Sequence, residues 1–298
     1  MKFGPSGNSD SFIIEGHAST VEAPQWIKAK GLDIFEYSFG RGVRIGEEHS
    51  RAIGAEAAKH GIEISVHSPY YVNLASDNDE TVINSMGYIM KSIEALQNFG
   101  GNRCVVHPGS PLKQSREEAV ERMLANFESL AEMIIESNLS DIIICPETMG
   151  KNNQMGTLDE VLKICRISEI FIPCVDFGHI NSRSQGSLMS PDGYRQIFDR
   201  IYQEIGEDRG SRVHIHFSRI EYGKSGEIRH LTFEDEIFGP FFEHLAPVLH
   251  EYKVKGRVLS ESAGMQAEEA VIMKNLYDNY KSKQADISLQ KESPCDKI

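Results

Sequence analysis

The chain has 298 residues, 40% of them hydrophobic, and a formal net charge of −13. That length and apolar share allow one sizeable core, and barrels of alternating strands and helices routinely use about 250 residues as a single domain. No apolar run approaches the ~20 residues of a membrane span, the opening MKFGPSGNSD lacks the apolar centre of a secretory leader, and the acidic balance argues mildly against nucleic acid as a partner, although metal-ligating acids would supply part of it and local potential matters more than the sum.

The predicted elements alternate along the chain. Strands are expected at residues 2–5, 33–39, 63–67, 103–107, 141–146, 171–176, 212–217 and 257–260. Several open on Asp, Glu or Arg and then run continuously apolar, as parallel strands covered on both faces do. Helix starts are marked by Ser19 before Glu22, Ser115 before Glu118 and Thr157 before Glu160, the spacing of a capping box. Residues 77–99 place Val82, Met86, Ile89, Ile93 and Leu96 at helical spacing and then meet Gly100-Gly101 as a stop. Ser190-Pro191 reads as a cap followed by proline at the first helical position, and residues 219–230 read as a long polar loop. Eight strand–helix units with no shift in composition predict an α/β fold, one closed (β/α)₈ TIM barrel over residues 1–281, with a polar tail at 282–298 that is loose or packed only at the edge. An open doubly wound sheet is the alternative, but no glycine-rich phosphate loop follows the first strand. Five cysteines (Cys104, Cys145, Cys165, Cys174, Cys295) form no CxxC pair. An odd count without a secretion signal predicts a reduced, cytoplasmic protein.

Six consecutive strands end in side chains that bind metals: His67, His107, Glu147, Asp176 with His179, His216, and Glu261. A barrel opens the carboxyl ends of all its strands on one face, so these residues would converge there. His, Asp and Glu are the usual ligands of zinc and other divalent ions. A carboxylate such as Glu147 ending an apolar strand is costly to bury alone, and a metal removes that cost. His214 and His216 share one side of their strand; His216 is the expected ligand and His214, one layer deeper, a hydrogen-bonding partner. In the DFGH motif, Gly178 is expected to let the chain turn sharply between Asp176 and His179. The loop after the seventh strand offers Glu227 and His230, with Glu221 as a rival acid. Arg41 and Arg44 after the second strand, and Tyr70 and Tyr71 after His67, could bind a phosphate backbone and wedge into a duplex. No GxSxG elbow supports serine hydrolase chemistry.

His67 in HSPYYVNL, His107 in HPGS, Glu147 in ETMG, Asp176 and His179 in DFGH, His216 in HFS and Glu261 in SES together resemble the endonuclease IV family of abasic-site nucleases, across roughly residues 2–280. The resemblance implies a (β/α)₈ barrel with three zinc ions, manganese or iron being accepted at one position. It implies action on abasic double-stranded DNA, cutting the phosphodiester bond 5′ to the abasic site by metal-bridged hydroxide attack and leaving a 3′ hydroxyl; oligomeric state is not readable from the sequence, a monomer being the default expectation. On that basis His67, His107 and Glu147 hold the first ion. Glu147 bridges to a second held by Asp176, His216 and Glu261, and also orients the attacking group. His179 holds the third with Glu227 and His230. Tyr70 and Tyr71 would form the duplex wedge, with Arg41 or Arg44 inserted. The chain departs from the family where an Asp-x-His pair is usual, having Glu227-Ile228-Arg229-His230. It also reads His216-Phe217-Ser218-Arg219 in place of His-Leu-Asn-Asp. These departures suggest a divergent branch. The competing expectation is a sugar isomerase or epimerase of the same barrel superfamily, using one metal on Glu147, Asp176, His216 and Glu261.

Overall fold

The computed structural model describes residues 1–292, with 281–292 as backbone only. Eight parallel strands form the barrel: β1 (Lys2–Pro5), β2 (Ile34–Ser38), β3 (Glu63–His67), β4 (Arg103–Val106), β5 (Ile143–Pro146), β6 (Cys174–Asp176), β7 (His214–Phe217) and, after a hairpin of β8 (Ile220–Gly223) and β9 (Gly226–His230), β10 (Arg257–Ser260). Parallel ladders join β2-β3-β4-β5 and β1-β10-β7-β6. The parallel bridges Ser6↔Glu36, Ile144↔Phe171 and Glu147↔Cys174 close the two seams. β6 is shorter than expected because Pro173 has no N–H to give the ladder; only its carbonyl is used, accepting from the His214 N–H.

Helices cover the outside. Asp79–Asn98 buries Val82, Met86, Ile89, Ile93 and Leu96 on one face, each such side chain contributing about 1.5–3 kcal/mol. All three expected capping boxes form, at Ser19/Glu22, Ser115/Glu118 and Thr157/Glu160. Pro191 opens the helix Pro191–Ile205. The main apolar core lies between strands and helices, whereas Val105, Cys145 and Cys174 form a separate small cluster. Strand alternation puts these three residues on the same side as His107, Glu147 and Asp176, two positions on. Small side chains thus fill part of the barrel interior beneath the polar rim.

Residues 219–230, expected as a loop, are instead largely the antiparallel hairpin β8–β9. The apolar residues of Ile220-Glu221-Tyr222 and Glu227-Ile228 interleave with polar ones, and Gly226 takes the positive φ (+91°) that the tight connection requires. The last helix, Gln266–Glu292, runs through the expected start of the tail; the remainder of that tail lies outside the described residues.

Candidate metal centre

The strand-end and hairpin residues meet at one face in three groups, the first two sharing Glu147. His67, His107 and Glu147 form one. Glu147, Asp176, His216 and Glu261 form a second. His179, Glu227 and His230 form a third, the ligand atoms within each group lying within 4.8 Å of one another. Glu147 is shared, and its oxygens divide the work. Oε2 lies 3.1 Å from His67 Nε2 and 2.9 Å from His107 Nε2; Oε1 lies 3.0 Å from His216 Nδ1 and 3.6 Å from His179 Nδ1.

Three of the histidines are aimed by their Nδ1 atoms. His67 Nδ1 donates to the Ser68 carbonyl (2.8 Å) and His179 Nδ1 to the Thr148 carbonyl (2.9 Å). His230 Nδ1 pairs with Ser218 Oγ at 2.8 Å. The Nε2 atoms are thereby left facing the centre, as outer partners of metal-binding histidines arrange them. His179 Nε2 lies 3.4 Å from Glu227 Oε2, and His230 Nε2 4.0 Å from Glu227 Oε1. Glu221, the rival acid, instead pairs with Arg229 across the hairpin at 2.6 Å and joins no group.

Gly178 does not provide a turn. Asp176 caps the short helix Phe177–Arg183, its Oδ1 accepting from the His179 N–H at 2.7 Å. A Cβ at Gly178 would stand 2.7 Å from the Ser218 carbonyl, so the glycine allows the hairpin's approach. Gly150 does the same for the third group: its Cβ would lie 2.7 Å from Glu227 Cβ and 2.9 Å from His179 Cδ2.

The electrostatics fit cations. Burial and the nearby Glu147 and Asp176 carboxylates outweigh His216 and push Glu261 up to about 8. Asp176 Oδ2 is buried with no hydrogen-bond donor, an orphan that a metal would satisfy. Burial lowers His67, but its hydrogen bond to Glu147 and the Glu147 charge prevail and lift it to about 9. Burial likewise opposes His179, which Asp176, Glu147 and Glu227 raise to about 9. Metal-free, the centre offsets its acids with protonated histidines; divalent ions supply the same charge through a donor set they prefer.

Sequence reasoning did not single out Glu36. This fully buried carboxylate in β2 lies 2.9 Å from His214 Nε2 and 2.8 Å from His216 Nε2. The signal was a lone acid inside the apolar strand Ile34–Ser38. His214, expected one layer deeper, indeed spends its Nε2 on Glu36.

The centre floors a cavity of about 360 Å³ that also reaches Tyr70 and Lys151. An adjoining groove of about 660 Å³ shares Ser38 and Gly40 with it and carries Arg41 and Arg44. Both arginines are exposed. Tyr70 is 67% exposed at the lip, while Tyr71 is more anchored, packing edge-on against Tyr88.

Residues 24–276 match the family of xylose isomerase-like TIM barrels. The chain belongs to that family, a superfamily of enzymes built on this barrel. It is 33% identical to an uncharacterised protein of Methanocaldococcus jannaschii over 250 residues, covering 83% of this chain and 88% of that one. It is 32% identical to a probable endonuclease 4 of Shouchella clausii over 174 residues, 56% of this chain and 57% of that one; the chain thus spans under two thirds of that relative. Among solved structures it resembles a D-tagatose 3-epimerase-like protein (TM-score 0.69, 20% identity, covering 97% of this chain and all of that one) and endonuclease IV from Thermus thermophilus (0.64, 18%, 95% and all). Among the described residues, no helix is long and apolar enough to cross a membrane.

Proposed function

We propose that the protein is a metal-dependent endonuclease of DNA repair that hydrolyses the phosphodiester bond 5′ to abasic sites and leaves a 3′ hydroxyl. The observation that carries this reading is the third group, His179–Glu227–His230, beside two groups that share Glu147. One divalent ion serves an isomerase; three adjacent ion sites suit a phosphodiester, with charge on the attacking, bridging and leaving oxygens.

Zinc fits the donor set, and His67, His107 and Glu147, then Asp176, His216 and Glu261, then His179, Glu227 and His230 would hold it. Bound there, divalent ions lower the pKa of water and neutralise phosphate charge. The chain's own residues do the rest. Glu147 presents one oxygen to each of the first two groups and so fixes their separation. The Ser68, Thr148 and Ser218 contacts hold the histidine rings. The adjoining groove, with Arg41 and Arg44, offers cations to a phosphate backbone despite the acidic total. Tyr70 projects at the lip where a wedge would enter a duplex. An abasic nucleotide lacks stacking, so turning it into the cavity costs less than turning out a paired one.

The second reading, a single-metal sugar isomerase or epimerase, is favoured by the completeness of the Glu147–Asp176–His216–Glu261 group. It assigns no role to His67, His107, His179 and His230 together. The deciding experiment is incision of a duplex carrying one abasic site by the zinc-loaded protein, on a denaturing gel. A single cut 5′ to the site, absent in Glu147→Gln, is expected. No cut with zinc, manganese or cobalt, and a single bound ion, would replace this reading with the isomerase.

A further inference from the structure

Beneath the centre lies a polar network that lines neither the cavity nor the adjoining groove. Glu36, His214 and His216 are all fully buried, and Ser65 with them. Glu36 belongs to none of the three metal-binding groups, so its charge is held entirely by neighbours. Oε1 accepts from Ser6 Oγ at 2.9 Å and faces His216 Nε2 at 2.8 Å. Oε2 accepts from Ser65 Oγ at 2.9 Å and faces His214 Nε2 at 2.9 Å. Oε2 thus has two hydrogen-bond partners and Oε1 one, with the His216 ring nitrogen close beside it.

His216 stands between this network and the centre. Its Nδ1 lies 3.0 Å from Glu147 Oε1 and 3.3 Å from Glu261 Oε1. Its Nε2 lies 2.8 Å from Glu36 Oε1 but off the N–H axis, a close polar contact and not a straight hydrogen bond. Carboxylates face both ring nitrogens, but only those at Nδ1 belong to a group that could hold a cation; with Nδ1 turned to a cation, the proton of a neutral ring sits on Nε2 beside Glu36. The other nitrogen of a neutral imidazole then carries the free lone pair.

We infer that Glu36 is a positioning residue: it fixes His216 in the tautomer with Nε2 protonated and presents Nδ1 as the ligand of the Glu147–Asp176–His216–Glu261 group. The inference rests on the assignment of His216 to that group, which both readings of the function share. It makes the second strand, otherwise without a ligand, part of the metal site. Ser6 and Ser65 complete the support by holding the carboxylate's plane, and His214 fills the remaining acceptor position on Oε2. Outer carboxylates of this kind orient the ring and raise the ligand's basicity, and their loss typically costs about 10–100-fold in metal affinity.

The test uses the full-length protein loaded with zinc alone. Nitrogen-15 NMR of its histidine rings reads the tautomer in the unaltered protein, with His216→Ala assigning the signal. Zinc is then counted by elemental analysis, and its affinity measured by chelator competition, for wild type, Glu36→Gln and His216→Ala. The expected result is a proton on His216 Nε2, and in Glu36→Gln a 10–100-fold loss confined to the ion that His216→Ala also weakens, the other ions holding within about twofold. A proton on Nδ1 in the loaded protein would overturn the inference, as would unchanged affinity in Glu36→Gln. Equal weakening of every ion together with a collapsed melting transition would make Glu36 a structural residue only. If His216→Ala removes no ion, the assignment of His216 itself fails and the inference with it, a result the NMR and counting arms separate from failure of Glu36 alone.

Discussion

Replacing Gly150 by alanine is the smallest change that separates the third group from the other two. The added methyl would stand 2.7 Å from Glu227 Cβ, 2.8 Å from Glu227 Oε2 and 2.9 Å from His179 Cδ2. Carbon atoms pack best at about 3.5–4.0 Å, so the overlap with Glu227 is about 1 Å. Cβ is not a flexible tip, and the hairpin that carries it must yield. Metal–ligand distances tolerate about 0.2 Å. The shift therefore exceeds the tolerance severalfold, and the ion on His179, Glu227 and His230 should bind at least about 100-fold more weakly, beyond the effect of losing an outer partner. Overpacking costs about 1–3 kcal/mol, offset by about 0.4–1 kcal/mol from a less flexible unfolded chain. The metal-free protein should therefore lose no more than about 2–3 kcal/mol and stay folded. Elemental analysis after dialysis against a weak chelator should count one ion fewer than in wild type, with abasic incision falling in step. Three ions at undiminished affinity in Gly150→Ala would refute the packing argument; a wild type holding one ion would refute the three-site reading.

Glu147→Gln should lower incision by more than about a hundredfold, more than loss of a ligand's outer partner does, and should weaken two ions at once, read by the same metal count. Tyr70→Ala, which removes a mostly exposed ring at the lip, should weaken binding to an abasic duplex by about tenfold, near the lower end of a base–aromatic contact, with turnover at saturation unchanged; fluorescence anisotropy beside the gel assay reads both. At the opposite end of the barrel, Glu63 is held at about 2: burial raises it, but the hydrogen bonds from Arg257 and Lys2 prevail. Its folded value lies below its ordinary 4.5. The pair's contribution, at most about 3 kcal/mol at 1.36 kcal/mol per unit, is therefore present above pH 4.5 and lost as pH falls toward 2. Urea titrations across that window should show the loss in wild type and a flatter profile in Glu63→Gln.

Much of this was legible because parallel barrel strands have a strong pattern. Continuous apolar runs with one polar residue at the carboxyl end place strand, direction and rim in a single reading. Expected strand limits differ from the observed by at most three residues at either end, the largest gap being at β6, where Pro173 breaks the ladder. Spacing along one strand also separated His214 from His216. What was not legible depends on approach between distant segments. Gly178 reads as a turn in sequence, yet its need comes from Ser218, just past the end of β7. Glu36 carries no motif, and only its four polar neighbours, from β1's end, β3 and β7, reveal its place. The hairpin was hidden by a polar composition that fits loop and edge strand equally well.

The hairpin also says something about how such a barrel changes over time. The first two groups sit on strand ends that are locked into the ladder, where insertion or deletion would shift the register of the whole ring. The third takes two of its three members from a two-stranded appendage that pairs with itself. Change in that appendage would bear on one site and on the loop after β5 that it bridges at Lys151↔Gly226, while the barrel ladder stays in register. On the proposed reading, the third group can be altered through one hairpin while the two groups that share Glu147 keep their strands.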